Sequence, residues 1–367
     1  MRVAIVDPAS WSLAYDEPLA AALARAGCEV TVYCTPSPHG AELQARDGVR
    51  VDEAFYRSGY GLGVLPRRLG RAVQHPLDLA KLTRRLRTEA HVVLVQWMPG
   101  RRVDARAWAR LARDVPVTFT AHNAQERNGA LDPAMLRGFA AVIAHSDGGA
   151  QALREAGLER VWRMTLGAYT QYAEAPDPDV LPIRIAHGVP MVLLPGLLRE
   201  YKGVDVLLAA WPAVRAAVPD ARLVVAGRPM GAELPEQMPA GAELLPRFVS
   251  ESELGWLLRR ASVCCLPYKR IDMSGIAASA LACGTPLVLS DVGGFAEFVG
   301  RGGVVVPPND PRALAVALID VLGTTGRRAA LAQQARTASV EHYSWDAVAR
   351  TYLERFGELG ISDEADA

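Results

Sequence analysis

Several protein classes require features that this sequence lacks. It has no net charge, since 40 lysines and arginines face 40 acidic residues, which argues against a protein that grips nucleic acid by bulk electrostatics. Aromatic residues make up only 7% of the chain, too few for a platform on which single-stranded nucleic acid stacks. No run of about 18 apolar residues occurs, so no segment reads as a membrane span. The opening MRVAIVD meets an acid at Asp7, where a signal peptide needs its apolar stretch. The five cysteines (Cys28, Cys34, Cys264, Cys265 and Cys283) show no CxxC spacing. On a strand, neighbouring Cys264 and Cys265 face opposite ways. They read as reduced structural thiols, and the expectation is a soluble cytoplasmic protein.

What is present is ample apolar material: half of 367 residues, enough for two packed cores. Short apolar runs alternate with segments of helical period, the pattern of βαβ units and parallel sheets. Strands are expected at Arg2–Val6, Glu29–Tyr33, Val92–Gln96, Val117–Thr120 and Ala141–His145, and then at Val192–Pro195, Arg222–Ala226, Ser262–Leu266 and Leu287–Ser290. The first-half runs read as continuously apolar rather than alternating, as expected for strands covered on both faces. Helices fit at Glu17–Ala26, Asp104–Asp114, Asp147–Ala156, Val204–Val218, Ser250–Arg260, Gly275–Ala282, Pro311–Leu322 and Trp345–Phe356. Thr170–Pro190 holds four prolines and no period, so it reads as a linker. The fold class is therefore α/β, two doubly wound parallel-sheet domains spanning 1–175 and 176–344, with a ligand site expected in the cleft between them.

Chemistry concentrates in the second half. Leu194-Pro-Gly-Leu-Leu-Arg-Glu-Tyr-Lys-Gly203 ends a strand at Gly196 and sets two cations, Arg199 and Lys202, before a helix. That position suits an anionic ligand, the other reading being a solvated turn with ordinary surface charges. In Leu266-Pro-Tyr-Lys-Arg-Ile-Asp-Met-Ser-Gly-Ile276, Ser274 and Gly275 open a helix whose free N–H groups suit phosphate, and Asp272 reads either as an acceptor for sugar hydroxyls or as a plain acid favoured by the helix dipole. A third turn, Ser290-Asp-Val-Gly-Gly-Phe-Ala-Glu297, brings another acid.

Together with Ala282-Cys-Gly-Thr-Pro, Phe119-Thr-Ala-His-Asn123 and Tyr343-Ser-Trp-Asp346, these motifs resemble family 4 of the retaining glycosyltransferases, which have the GT-B architecture of two facing Rossmann-like domains. The resemblance runs over nearly the whole chain. It implies that the first domain binds the acceptor, the second binds a nucleoside-diphosphate sugar, and the final helix, 345–358, packs back on the first. By the same resemblance, Lys202 and Arg199 neutralise the donor diphosphate beside Gly196. The backbone N–H groups of Ser274, Gly275 and Ile276 cap it. Phe248 and Val249, following Arg247, hold the nucleobase by their backbone edges. Asp272 contacts the donor sugar, and His122 lies beside it. No metal and no cofactor are implied. The acceptor is a glycan, a lipid-linked or a small molecule, met by loops around Asp7–Tyr15, Ser58–Gly63 and Gln125–Asn128. High Ala, Arg and Gly content suggests a GC-rich bacterial genome.

The chain departs from the family pattern in two places. Asp272 replaces the first glutamate of the E-x7-E motif, and Ala280 stands where the second would hold the ribose, leaving Glu297 as the candidate substitute. With Ser274-Gly275 this marks a Ser-Gly variant subgroup. The glycine-rich loop after the first strand is replaced by Asp7–Asp16. These departures keep two alternatives open: a non-catalytic nucleotide-sugar or glycan-binding subunit, and a sugar-nucleotide epimerase of the same architecture. Asp177-Pro-Asp179 has the letters of a metal-binding D-x-D motif but lies in the linker, so it is set aside. The basic stretch 66–87, with its apolar stripe, reads either as a solvated helix face or as a peripheral contact with anionic lipid at the inner face of the membrane.

Overall fold

The computed structural model describes residues 1–36, 48–57, 64–122 and 132–361, with backbone alone at 64–69 and 325. The loops Ser58–Gly63 and Gln125–Asn128, and Asn123, lie outside the described residues. The chain divides into two compact units, Met1–Thr165 with Trp345–Ala367, and Leu166–Ser344.

In the first unit the strands are β1 (Arg2–Val6), β2 (Glu29–Tyr33), β3 (Val49–Asp52), β4 (Val92–Val95), β5 (Val117–Thr120), β6 (Ala141–Ala144) and β7 (Val161–Arg163). They form one parallel sheet in the order β3-β2-β1-β4-β5-β6-β7. Its helices are α1 (Leu13–Arg25), α2 (Val64–Glu89), α3 (Arg102–Leu111), α4 (Pro133–Leu136) and α5 (Asp147–Glu155). One face of the sheet packs Val93, Val95 and Phe119 against Leu82, Leu86 and Trp108 of α2 and α3. The helix α2 runs unbroken through Pro76. A buried hydrogen-bonded chain fixes it: His75 Nε2 meets Asp104 Oδ1 at 2.7 Å, and His75 Nδ1 meets the Tyr56 hydroxyl at 2.8 Å.

The second unit contains β8 (Met191–Pro195), β9 (Arg222–Ala226), β10 (Ala242–Leu245), β11 (Val263–Leu266), β12 (Leu287–Ser290) and β13 (Gly303–Val306), again all parallel, in the order β10-β9-β8-β11-β12-β13. Helices α6 (Thr170–Glu174), α7 (Val204–Ala217), α8 (Glu251–Arg260), α9 (Gly275–Ala282), α10 (Pro311–Gly323) and α11 (Thr325–Glu341) cover it. Trp211, Val192, Leu223 and Leu318 centre the core. Sequence chemistry sets the helix starts. Ser250 and Glu253 close a capping box on α8, and Asp310 caps α10 ahead of Pro311. The last helix, α12 (Trp345–Glu358), belongs to the first unit, where Tyr352 hydrogen-bonds Tyr15 of α1 at 2.9 Å.

Two expectations need correction. Thr170–Pro190 is not structureless, because α6 forms at its start. The division accordingly falls at 165/166 rather than 175/176. Tyr169, ahead of α6, lies against Gly275, and Arg259 of α8 donates to the carbonyl of Tyr172 at 2.8 Å, so this segment is part of the second unit. The same Arg259 also pairs with Asp177 at 2.6 Å, giving that acid a structural partner. Among the described residues no helix is long and apolar enough to cross a membrane.

Candidate active site

Each sheet reverses its strand order once, between β1 and β4 in the first unit and between β8 and β11 in the second. Open α/β sheets bind ligands outside the carboxyl ends of strands at such switch points. In the second unit, this is where Lys202 sits. It closes a 3-10 turn, Glu200–Lys202, that follows β8. Although charged, it is only 6% exposed. Its Nζ donates to the Tyr268 hydroxyl at 2.7 Å, after β11, and to the carbonyl of Pro195 at 3.3 Å, at the end of β8. The ammonium thus bridges the two strands of the switch point.

Two glycines make that placement feasible. At Gly196 (φ +99°) an added Cβ would come within 2.9 Å of Lys202 Nζ. At Gly203 (φ +66°) a Cβ would fall inside the contact radius of the Pro267 carbonyl oxygen. Burial lowers the Lys202 pKa to about 8, with Arg199 adding like-charge repulsion. Burial also holds Tyr268 far above its ordinary range, so it stays a neutral phenol. Among the described residues no carboxylate lies within ion-pair distance of Lys202. The site is a buried cation lacking an anion.

Around it stand the other sequence candidates. Arg199 is exposed on the same loop. Ser274 caps α9, accepting from Ala277 at 3.4 Å, and Ile276 lies against Gly196. The α9 start therefore faces the Lys202 loop, with first-turn N–H groups that need acceptors. Asp272 precedes this helix, and its carbonyl accepts from Gly294 at 2.8 Å, which ties its loop to the 3-10 turn Gly293–Phe298 that carries Glu297. Ala280 is fully buried and offers nothing to a ligand. Arg247 is already engaged: its two terminal nitrogens meet Glu253, at 2.6 and 2.9 Å, and hold its carboxyl down at about 2, and one of them also donates to the Phe248 carbonyl at 3.0 Å. Beside it, Phe248 is 60% exposed and Val249 is half-buried.

In the first unit, His122 stands after β5, one strand beyond the switch point. Its Nε2 meets Gln96 Oε1 at 2.9 Å, its ring stacks on Trp97 at 5.1 Å, and Tyr15 and His145 close its other sides. Burial drives its pKa well down, so the ring is neutral. His145 Nδ1 donates to the Met164 carbonyl at 3.1 Å, and burial brings this ring to about 4. Two buried polar atoms here, Gln96 Nε2 and His145 Nε2, have no partner among the described residues. Unpartnered buried polar groups are rare and invite a ligand.

Sequence reading missed how the Asp7–Asp16 loop works. Asp7 and Asp16 are both fully buried and share Ser12. The Ser12 hydroxyl lies 3.1 Å from each carboxylate and accepts from Trp97 Nε1 at 3.1 Å. A hydroxyl has one hydrogen to donate. Asp7 also receives the Ser12 and Ala9 N–H groups and is the anion of the pair. Burial and the charge of Asp7 raise Asp16 well above the carboxylate range. Asp16 is thus the protonated acid, and Ser12 orients Trp97 against His122. Asp16→Asn should preserve this arrangement, because an amide donates where the acid did. Since the folded pKa of Asp16 is raised, wild-type stability declines as pH rises from about 4, by up to about 1.4 kcal/mol per pH unit for one proton. The variant's advantage in thermal melts should therefore grow with pH; a pH-independent difference contradicts the assignment.

Comparison with known proteins agrees with this architecture. Residues 18–165 match the description Glycosyltransferase Family 4, and residues 189–324 match Glycosyl transferases group 1. A D-inositol 3-phosphate glycosyltransferase of Xylanimonas cellulosilytica is 30% identical over 390 residues, covering 93% of this chain and 89% of the relative. A phosphatidyl-myo-inositol mannosyltransferase of Mycolicibacterium smegmatis is 33% identical over 183 residues, covering 48% and 46%. Among solved structures, Anabaena HepE in complex with UDP and glucose aligns with a TM-score of 0.72 at 17% identity, covering 98% of this chain and all of that one. Sucrose-phosphate synthase of Thermosynechococcus elongatus aligns at 0.71 with 18% identity, covering 98% and 99%. Two Rossmann-like parallel-sheet units define the GT-B class. The chain belongs to glycosyltransferase family 4.

Proposed function

We propose that this chain is a retaining, metal-independent transferase that moves a sugar from a nucleoside-diphosphate sugar to a glycan, lipid-linked or small-molecule acceptor. The observation that carries the reading is Lys202, a buried ammonium held by two neutral acceptors at the β8/β11 switch point. A donor diphosphate supplies the missing anion. Arg199 and the α9 N–H groups at Ser274, Gly275 and Ile276 share the developing charge as the diphosphate leaves. The backbone edge at Phe248–Val249 takes the base, Asp272 takes sugar hydroxyls, and Glu297 is the candidate for the ribose. In the first unit, His122 stays neutral and positions hydroxyls by hydrogen bonding, along with the unpartnered nitrogens of Gln96 and His145.

In the transfer the acceptor oxygen bonds to the anomeric carbon as the bond from that carbon to phosphate oxygen breaks. The acceptor proton passes to the departing phosphate oxygen on the same face, so no strong base is required. The test uses UDP-, GDP-, ADP-, dTDP- and CDP-sugars in EDTA with an acceptor panel that includes an inositol phosphate, chosen from the relative's name. Proton NMR reads the anomeric configuration of the product. Transfer in EDTA with retention supports the reading, whereas inversion or a strict metal requirement overturns it. Donor conversion without an acceptor favours an epimerase.

A further inference from the structure

The turn between β1 and α1 holds an indole out in solvent on a fixed base. Trp11 is 65% exposed, whereas Trp108, Trp162, Trp211 and Trp345 are buried. The Asp7 carboxylate accepts the N–H groups of Ala9 at 3.2 Å and Ser12 at 2.7 Å, one on each side of Trp11. Ser10 adopts a left-handed backbone, φ +53°, and its hydroxyl donates to the Thr35 carbonyl at 2.8 Å. A non-glycine residue in that region costs free energy and persists where its surroundings over-determine it. Trp11 meets Trp97 with ring centroids 5.3 Å apart and planes at 79°, so the two indoles form a corner. Trp11 follows β1 and Trp97 follows β4, the two strands of this unit's switch point. Trp97 in turn stacks on His122. Behind the corner lie the two unpartnered nitrogens, and their polarities differ. Gln96 Nε2 is an amide donor, while His145, whose Nδ1 donates to Met164, leaves its Nε2 as an acceptor. Residues 7–16 and 96–100 carry two acids and no lysine or arginine.

We infer that Trp11 and Trp97 seat the uncharged ring of a carbohydrate acceptor, a choice of acceptor class that rests on the transferase reading above. The C–H face of the ring lies on the Trp11 indole, whose π face is negative and attracts polarised C–H groups. The hydroxyls turn toward His122, Gln96 and His145, since a hydroxyl both donates and accepts and so serves either nitrogen. The pairing of features selects this occupant. A flat aromatic or alkyl group would cover the indole and give the polar nitrogens no partner. A phosphorylated ring would bring an anion to a turn anchored by the Asp7 anion, on segments without a cation. The seat lies in the stretch Asp7–Asp16, where this chain departs from the family's glycine-rich loop.

Saturation-transfer difference NMR on the full chain, with and without each of UDP, GDP, ADP, dTDP and CDP, reads the interaction. The probes are the methyl glycosides of glucose, mannose and galactose, set against glucose 6-phosphate and 4-nitrophenol. At least one glycoside should bind, with saturation reaching its ring C–H protons. Trp11→Ala should weaken that binding about tenfold, the loss of one covered indole face, and Trp11→Phe should recover most of it. Because Trp11 is exposed, both variants should keep the wild-type melt and its shift by a nucleoside diphosphate. In transfer assays the acceptor KM should carry the loss and the donor KM should not. Unchanged glycoside binding by Trp11→Ala, binding of none of the glycosides, tighter binding of glucose 6-phosphate or 4-nitrophenol than of every glycoside, or a donor KM that moves instead overturns the seat. If glycosides bind through Trp11 while no diphosphate raises the melt, the seat stands as a carbohydrate site and the donor reading alone fails.

Discussion

Lys202→Met is expected to stabilise the ligand-free protein at pH 7 while reducing sugar transfer by two to three orders of magnitude. The stabilising half follows from burial. The folded-state pKa of Lys202 is lowered from 10.5 to about 8. Between those values the unfolded chain binds the proton and the folded chain does not, so wild-type stability rises with pH across that window. Below about pH 8 the full cost of keeping the charge buried is present, about 3 kcal/mol. Methionine removes it but forfeits the hydrogen bonds to Tyr268 and Pro195, worth about 1 kcal/mol. The remainder corresponds to a Tm higher by about 4–8 °C for a unit of this size. This gain should fade as pH approaches 10.5. The functional half follows from the loss of a preorganised cation against the leaving diphosphate, an effect of about 10²–10³ in turnover. A variant both less stable and fully active would contradict both halves.

Gly203→Ala is expected to destabilise the second unit by about 3–5 kcal/mol, combining a left-handed backbone with overpacking against a carbonyl that cannot move freely. Gly203 has φ +66°, and a Cβ there collides with the Pro267 carbonyl oxygen. That carbonyl belongs to the turn carrying Tyr268, which holds Lys202. The substitution therefore damages stability and donor binding together. Denaturant titration should show a lowered midpoint with an unchanged slope. Gly357→Ala, in α12 with open space around its Cβ position, is the control and should be silent or slightly stabilising. A Gly203→Ala midpoint equal to wild type would mean that the close approach of the two loops is not a structural requirement.

The central strands could be read directly from the chain. β1, β2, β5, β9 and β12 have the bounds that their runs indicate, because strands largely covered on both faces are mostly apolar, although Glu29 and Arg222 at the starts of β2 and β9 are exposed. All four strands that escaped sequence reading, β3, β7, β10 and β13, lie at sheet edges. Edge strands are half exposed, as in Val49–Asp52 and Ala242–Leu245, so their composition mixes with that of the adjoining loops. The helix α11 escaped because its polar and apolar residues follow no clear stripe.

The site divides in the same way. Lys202, Arg199, Ser274 and His122 stand just beyond strand ends, where position alone marks them. Tyr268 was hidden because an aromatic residue after a buried strand reads as core, and only its 2.7 Å contact reveals it as the lysine's acceptor. Asp7 and Asp16 looked like polar loop residues. Their role depends on Ser12 and Trp97, which come from different segments and meet only in the fold.

The central claim is that fixed cationic and N–H groups around Lys202 bind a nucleoside diphosphate without metal. The most direct measurement is thermal unfolding of the wild type and Lys202→Met in EDTA, each with UDP, GDP, ADP, dTDP and CDP. A diphosphate at 100 times its dissociation constant adds about 2.7 kcal/mol. The account predicts that at least one raises the wild-type Tm by several degrees and leaves Lys202→Met unmoved. A shift of equal size in both proteins, or one that appears in the wild type only when magnesium is restored, would contradict it.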